Sequence, residues 1–169
     1  MGLSESARAT SAAEARYRIA DPNSQPRAVK VIALDAASER VVRRIARGPW
    51  QRATFFTSPI GEPPSGQAWS LQTWLGDVAG RASDLAGAIA SADLVVMVAA
   101  AGGSPQAASV IGEACALAKV MTTGLIVDAK GKSDAALSRT LACLRPYASM
   151  LVVAEGEHYI EAMLQALRA

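Results

Sequence analysis

One histidine, two cysteines and an aromatic content of only 5% are the scarcities of this 169-residue chain, and each removes a class of function. With His158 alone, and Cys115 and Cys143 far apart in sequence, there are too few ligands for a zinc site and no base for a histidine-dependent triad. Both cysteines fall in apolar helical stretches and read as buried thiols, which sets aside a disulfide scaffold. No apolar run reaches the roughly 18 residues of a membrane span, so no membrane partner is expected. No apolar segment of the secretory kind is seen near the N-terminus, and the expected location is the cytoplasm. Charge of one sign is missing too. The 17 Lys and Arg against 15 Asp and Glu leave +2, too even for a dedicated nucleic-acid binder.

Apolar residues are plentiful, at 51%, and alanine is the commonest of them. The core is therefore expected to use small side chains and close backbone packing. Abundant alanine, with arginine well ahead of lysine, suggests a GC-rich bacterial genome. The length fits one domain.

Residues 1–27 read as a polar, flexible arm with a short helix near 11–19, closed off by Pro22 and Pro26. From Val29 the pattern alternates. Strands are expected at Val29–Leu34, Thr54–Thr57, Leu94–Ala99, Thr122–Val127 and Met150–Val153, with a further short one at Ala68–Trp74. Helices are expected at 37–47, 82–91, 105–119, 133–145 and 157–167, and a Pro/Gly-rich loop at 58–66. Near-continuous apolar strands separated by helices predict a parallel sheet covered on both faces. The fold class is thus α/β over residues 28–169, a three-layer, doubly wound, mostly parallel, Rossmann-like sheet. In such folds ligands bind beyond the carboxyl ends of the strands.

Three segments lie there. Ala99-Ala100-Ala101-Gly102-Gly103-Ser104-Pro105 is a tiny-residue loop after the clearest strand. Ser104 is a candidate N-cap, Pro105 suits the first helical position, and free amides at a helix start can hold an anion. The same residues would also build a tight turn in an empty fold. After the first strand, Asp35-Ala36-Ala37-Ser38 has no glycine and carries a negative charge. Asp35 either meets a ribose or a cation, or caps its helix. Asp128-Ala129-Lys130-Gly131-Lys132-Ser133 looks like the tail of a P-loop, but the upstream glycine position is Ile126, so the motif fails. The alternative is a solvated turn with Ser133 or Asp134 as a cap. Arg40, Arg43, Arg44 and Arg47 crowd one helix, either as a solvated face or as a surface for an anionic partner. Trp50, Trp69 and Trp74 flank the Pro/Gly-rich loop, where they mark a homo-oligomer contact or cover the sheet edge.

The order of segments resembles the nucleotide-binding half of the FtsZ/tubulin family. Val29–Leu34 and Ala53–Thr57 are similar to its first two strands. The most specific stretch runs from Ser91-Ala92-Asp93-Leu94-Val95-Val96-Met97-Val98 through Gly102-Gly103-Ser104 to Met121-Thr122-Thr123-Gly124-Leu125-Ile126-Val127. The resemblance implies an FtsZ/tubulin N-terminal-domain-like fold and a nucleotide, GTP or GDP, or another small phosphorylated ligand. It implies Gly102, Gly103 and Ser104 as phosphate contacts; Ala101, Asp35 and Asp128, at the carboxyl ends of their strands, complete the candidate ligand-binding set. The first turn lacks the family's glycines, and Ser104-Pro105-Gln106 stands where the family has Gly-Thr-Gly. The family's acidic loop, which activates hydrolysis in a neighbouring subunit, has no counterpart in the residues read. The expectation is therefore a degenerate FtsZ-like domain that binds a nucleotide or another phosphorylated ligand, or keeps only the fold as a regulatory or scaffolding protein, with little GTP hydrolysis. The rival is a small α/β enzyme acting on a nucleoside- or sugar-phosphate, with Asp35, Asp93 or Glu113 as the acid/base group.

Overall fold

The computed structural model describes residues 12–17, 25–57, 75–77, 82–83 and 85–169. The elements run α1 (Ala12–Ala15), β1 (Val29–Ala33), α2 (Ala36–Ile45), β2 (Ala53–Thr57), β3 (Leu75–Asp77), β4 (Ala82–Ser83), α3 (Leu85–Ala90), β5 (Leu94–Ala100), α4 (Ala108–Ala118), β6 (Met121–Val127), α5 (Asp134–Leu144), β7 (Met150–Val153) and α6 (Glu157–Ala166). A 3-10 turn at Arg145–Tyr147 joins α5 to β7.

One sheet holds all seven strands in the order β4-β3-β2-β1-β5-β6-β7. β2, β1, β5, β6 and β7 are parallel, and β3 and β4 add an antiparallel pair at one side. Parallel strands need helical crossovers, and helices on both faces make the strands apolar on both. β5 shows the result: Val95, Val96, Met97 and Val98 are fully buried on alternate faces. Ile32, Met97 and Ile126 look toward α3, α4 and α5. Val31, Val96 and Leu125 look toward α2 and α6.

Helix direction follows from handedness. The chain leaves β1 for β2 on one side but runs from β5 to β6 and β7 on the other. Right-handed crossovers then place α2 on one face and α4 and α5 on the opposite face. The reversal falls between β1 and β5, the switch point at which doubly wound folds place a ligand crevice at the carboxyl ends.

α2 is amphipathic, with Val41, Val42 and Ile45 buried and Arg40, Arg44 and Arg47 exposed. Each such apolar side chain contributes about 1.5–3 kcal/mol by burial. Arg43 pairs with Glu39 one turn back, and Arg44 reaches Glu157 at the start of α6. The last residue, Ala169, is buried, and its carbonyl accepts the Gln51 N–H at 3.3 Å. The Arg27 N–H donates to Leu167 O at 3.0 Å, so the end of the expected arm is already tied to the body of the domain.

Several expectations are corrected. Ser104 is not an N-cap. Ser104-Pro105-Gln106 folds as a separate turn, with the Gln106 N–H on Ser104 O at 2.9 Å and the Ala108 N–H on Pro105 O at 3.0 Å. α4 therefore begins at Ala108, capped by Ala107 without a side-chain hydrogen bond. The expected helix over 82–91 is α3 at Leu85–Ala90, because Ala82–Ser83 pairs with β3. Cys115 is buried but Cys143 is exposed, since Leu137, Thr140, Leu141 and Leu144 occupy the inward face of α5. Trp50 is half-buried rather than displayed. Its indole N–H donates to Ile45 O at 2.6 Å, and its ring stands 6.4 Å from that of Phe55. The expected strand at Ala68–Trp74, the loop at 58–66, and Trp69 and Trp74 lie outside the described residues.

Candidate functional site

Asp35 follows β1 by two residues and is the N-cap of α2. Its extended backbone (φ −149°, ψ 166°) turns the carboxylate back over the helix start. Oδ1 accepts the Ala37 N–H at 3.1 Å and the Ser38 N–H at 2.8 Å. The Asp35 N–H donates to Ser38 Oγ at 3.1 Å, which completes a reciprocal capping box. Oδ2 reaches across the crevice and accepts the Ala100 N–H at 2.8 Å. One carboxylate thus collects three backbone donors from two loops, at the positive end of a helix. That is the arrangement an external anion would find, and Asp35 fills it.

The loop after β5 is satisfied from within in the same way. The Ala101 N–H donates to Val127 O at 2.9 Å, and the Gly103 N–H to Ala100 O at 2.9 Å. The Gly102 N–H donates to Thr140 Oγ1 at 3.0 Å, and Thr140 is fully buried. Gly102 sits at φ +82°, in the left-handed region that favours glycine. Gly103 is small for another reason: a Cβ there would stand 2.6 Å from Asp35 Oδ2 and 2.9 Å from Ala100 O. The two glycines bring the loop close to Asp35.

The structure therefore brings Asp35, Ala101, Gly102 and Gly103 into one bonded cluster. Ser104 and Asp128 remain exposed at its rim. Asp128 holds φ +54° just after β6. Arg44 has its pKa raised, first by its hydrogen bond and charge contact with Glu157 and last by the charge of Asp128. Ser133 caps α5 by accepting the Ala136 N–H at 3.2 Å, beside exposed Lys130 and Lys132. Sequence reasoning missed Thr140. Its signal is a lone hydroxyl among Leu137, Leu141 and Leu144 on the inward face of α5.

The acid/base candidates do not converge. Asp35 stands at the carboxyl end of β5, whereas Asp93 precedes its amino end and accepts the Ala28 N–H at 2.7 Å. Seven strand residues separate those ends by roughly 20 Å. Glu113 is exposed on α4 and lines an open cleft of about 490 Å³ with Thr122, Tyr147 and Ser149. That cleft opens at the amino ends of β6 and β7, away from the crevice. Its hydroxyl Thr122 Oγ1 already donates to Tyr147 O at 2.9 Å. Among the described residues no three His, Cys, Asp or Glu side chains form a metal-ligand set. No helix among them is long and apolar enough to cross a membrane.

Compared with known proteins, the sequence matches no family model and no curated protein. The crevice is a three-donor anion nest whose anion is supplied by the same chain. Bringing a phosphate to those donors requires moving Asp35 or overcoming its charge.

Proposed function

We propose that this chain is a degenerate FtsZ-like domain that acts as a regulatory or scaffolding module and hydrolyses GTP slowly or not at all. One observation carries the reading: the Asp35 carboxylate occupies the donors that a phosphate would need. Catalysis of phosphoryl transfer depends on preorganised donors, and the loss of a single one costs roughly 100- to 1,000-fold. Here the Ala37, Ser38 and Ala100 amides all serve Asp35. A nucleotide or other phosphorylated ligand is the class the nest would take, because its donors converge on one anion. The rival enzyme reading draws on exposed Ser104, Lys130 and Lys132 at the carboxyl ends of the strands, where a sugar- or nucleoside-phosphate could be gripped without entering the nest.

Phosphate release and thermal unfolding, measured with GTP, GDP and a panel of sugar phosphates in the presence of magnesium, separate the two. The module reading expects release at the no-enzyme rate and an unmoved melting temperature. A ligand at 100 times its dissociation constant adds about 2.7 kcal/mol, so binding would show as a clear upward shift. Turnover of any phosphate ester that is lost in Lys130→Ala or Lys132→Ala would favour the enzyme.

A further inference from the structure

The sheet ends on one side at β7, and no strand among the described residues pairs with its outer edge. The Ala154 N–H donates inward to Ile126 O at 2.8 Å. Successive N–H groups alternate in direction along a strand, so those of Leu151 and Val153 point outward. β7 reads Met-Leu-Val-Val, without the lysine, proline or bulge that usually blunts an edge. The adjoining face is apolar as well: Met121 is 65% exposed and Met150 54%. Thr123 is the register partner of Met150, which places Met121 diagonally beside Met150 on one face.

We propose that β7 pairs antiparallel with β7 of a second copy of this chain, across a two-fold axis through Val152. Leu151 of each copy then exchanges both main-chain hydrogen bonds with Val153 of the other, and the two sheets become one. A second copy suits this edge by symmetry and charge. Ala136 stands toward Gly102 on the β5 side of α5, and Leu137, Leu141 and Leu144 face the sheet. At 100° per residue, Asp134, Ser138 and Arg145 then lie on the opposite flank, over the β7 edge. Asp134, the first residue of α5, lies toward the carboxyl end of β7, with Glu155 just beyond that strand. Arg145, after the last residue of α5, lies toward the amino end of β7. All three are exposed. Antiparallel pairing lays each acidic end against the partner's Arg145, so the edge complements itself under two-fold rotation. Lys130 and Lys132 share the acidic end in the turn before α5. The match therefore rests on Asp134 and Glu155, which the helix and the strand fix at the edge.

Sedimentation velocity on the full chain tests this. The expected particle has twice the 17.5 kDa chain mass. Met150→Lys, at an exposed site where folding is not at risk, should raise the dimer dissociation constant by at least about tenfold, as should Val152→Lys at the axis. Asp134→Arg or Arg145→Glu alone should weaken the dimer, and the two together should recover most of the loss. A wild-type monomer overturns the proposal. So does a dimer that survives both lysine variants, or charge reversals that simply add. None of these outcomes bears on GTP, so the dimer and the module reading stand or fall separately.

Discussion

At the crevice between β1 and β5, each backbone N–H from Ala100 to Gly103 has a partner inside the chain, whereas at β7 the outward N–H groups have none among the described residues. These two regions lie a few strands apart in one sheet and have been treated in opposite ways. Doubly wound folds usually leave the crevice open for a ligand and cover their edges. Here a carboxylate and a threonine hydroxyl take up the crevice amides, and an apolar edge has no partner strand among the described residues. The contrast teaches where to look for partners. The hydrogen bonds of Asp35 and Thr140 hold the loop from within, and under the proposed dimer the outward main-chain groups of β7, unpaired among the described residues, meet a second copy of this chain.

The largest way to break the comparison is Asp35→Ala. It removes an N-cap, typically worth about 1 kcal/mol. It also strips the Ala100 amide of its acceptor, at about 1–3 kcal/mol for an unpaired buried donor. Urea or thermal unfolding should show a loss of about 2–4 kcal/mol. A loss no larger than that of Ser133→Ala, an exposed cap, would mean that Asp35 caps its helix and nothing more.

Next in size is an alkaline effect. Burial pushes the Cys115 thiol from 9.0 up to about 11. The folded state keeps the proton that the unfolded chain releases above about pH 9. This stabilisation is complete below pH 9 and is lost as pH rises toward 11, up to about 2–3 kcal/mol. Other groups titrate in that range, but they are common to Cys115→Ala, so the difference between the two stability curves isolates the thiol. In native protein at neutral pH a thiol reagent should label Cys143 and leave Cys115 untouched.

Thr140→Val sharpens the comparison from the other wall of the crevice. Size is nearly kept, while the Gly102 N–H loses its acceptor. A loss of about 1–2 kcal/mol is expected in unfolding experiments. An unchanged midpoint would mean that the Gly102 amide finds another partner. The smallest effect should come from Arg44→Ala. Its ion pair with Glu157 is exposed, so the unfolding midpoint should barely move, and any small difference from wild type should shrink as salt is added.

Much of the fold was legible because burial on both faces writes continuous apolar runs. Val95–Val98 could hardly be anything but a central strand, and a cap by Asp35 was one of the two readings open for it. The errors have local causes. A serine before a proline suggests a helix start, but Pro105 is buried in its own turn, and α4 waits until Ala108. Cys143 sits in an apolar stretch, yet one step of 100° takes it off the inward face of α5. The closing of the crevice was not legible. Asp35 and Ala100 are 65 residues apart, and Thr140 reaches Gly102 across 38 more. Only the β1–β5 register and the packing of α5 bring those groups together. Gly103, which read as room for a phosphate, leaves the space that Asp35 Oδ2 occupies.

The most direct test of the closed crevice is an amide NMR titration of the whole protein with GTP and magnesium. The resonances of Ala37, Ser38 and Ala100 report the three donors held by Asp35. The account predicts that they stay in place up to millimolar nucleotide in the wild-type protein. Saturable shifts at those three amides, with Asp35 intact, would show that the anion site is open and would contradict it.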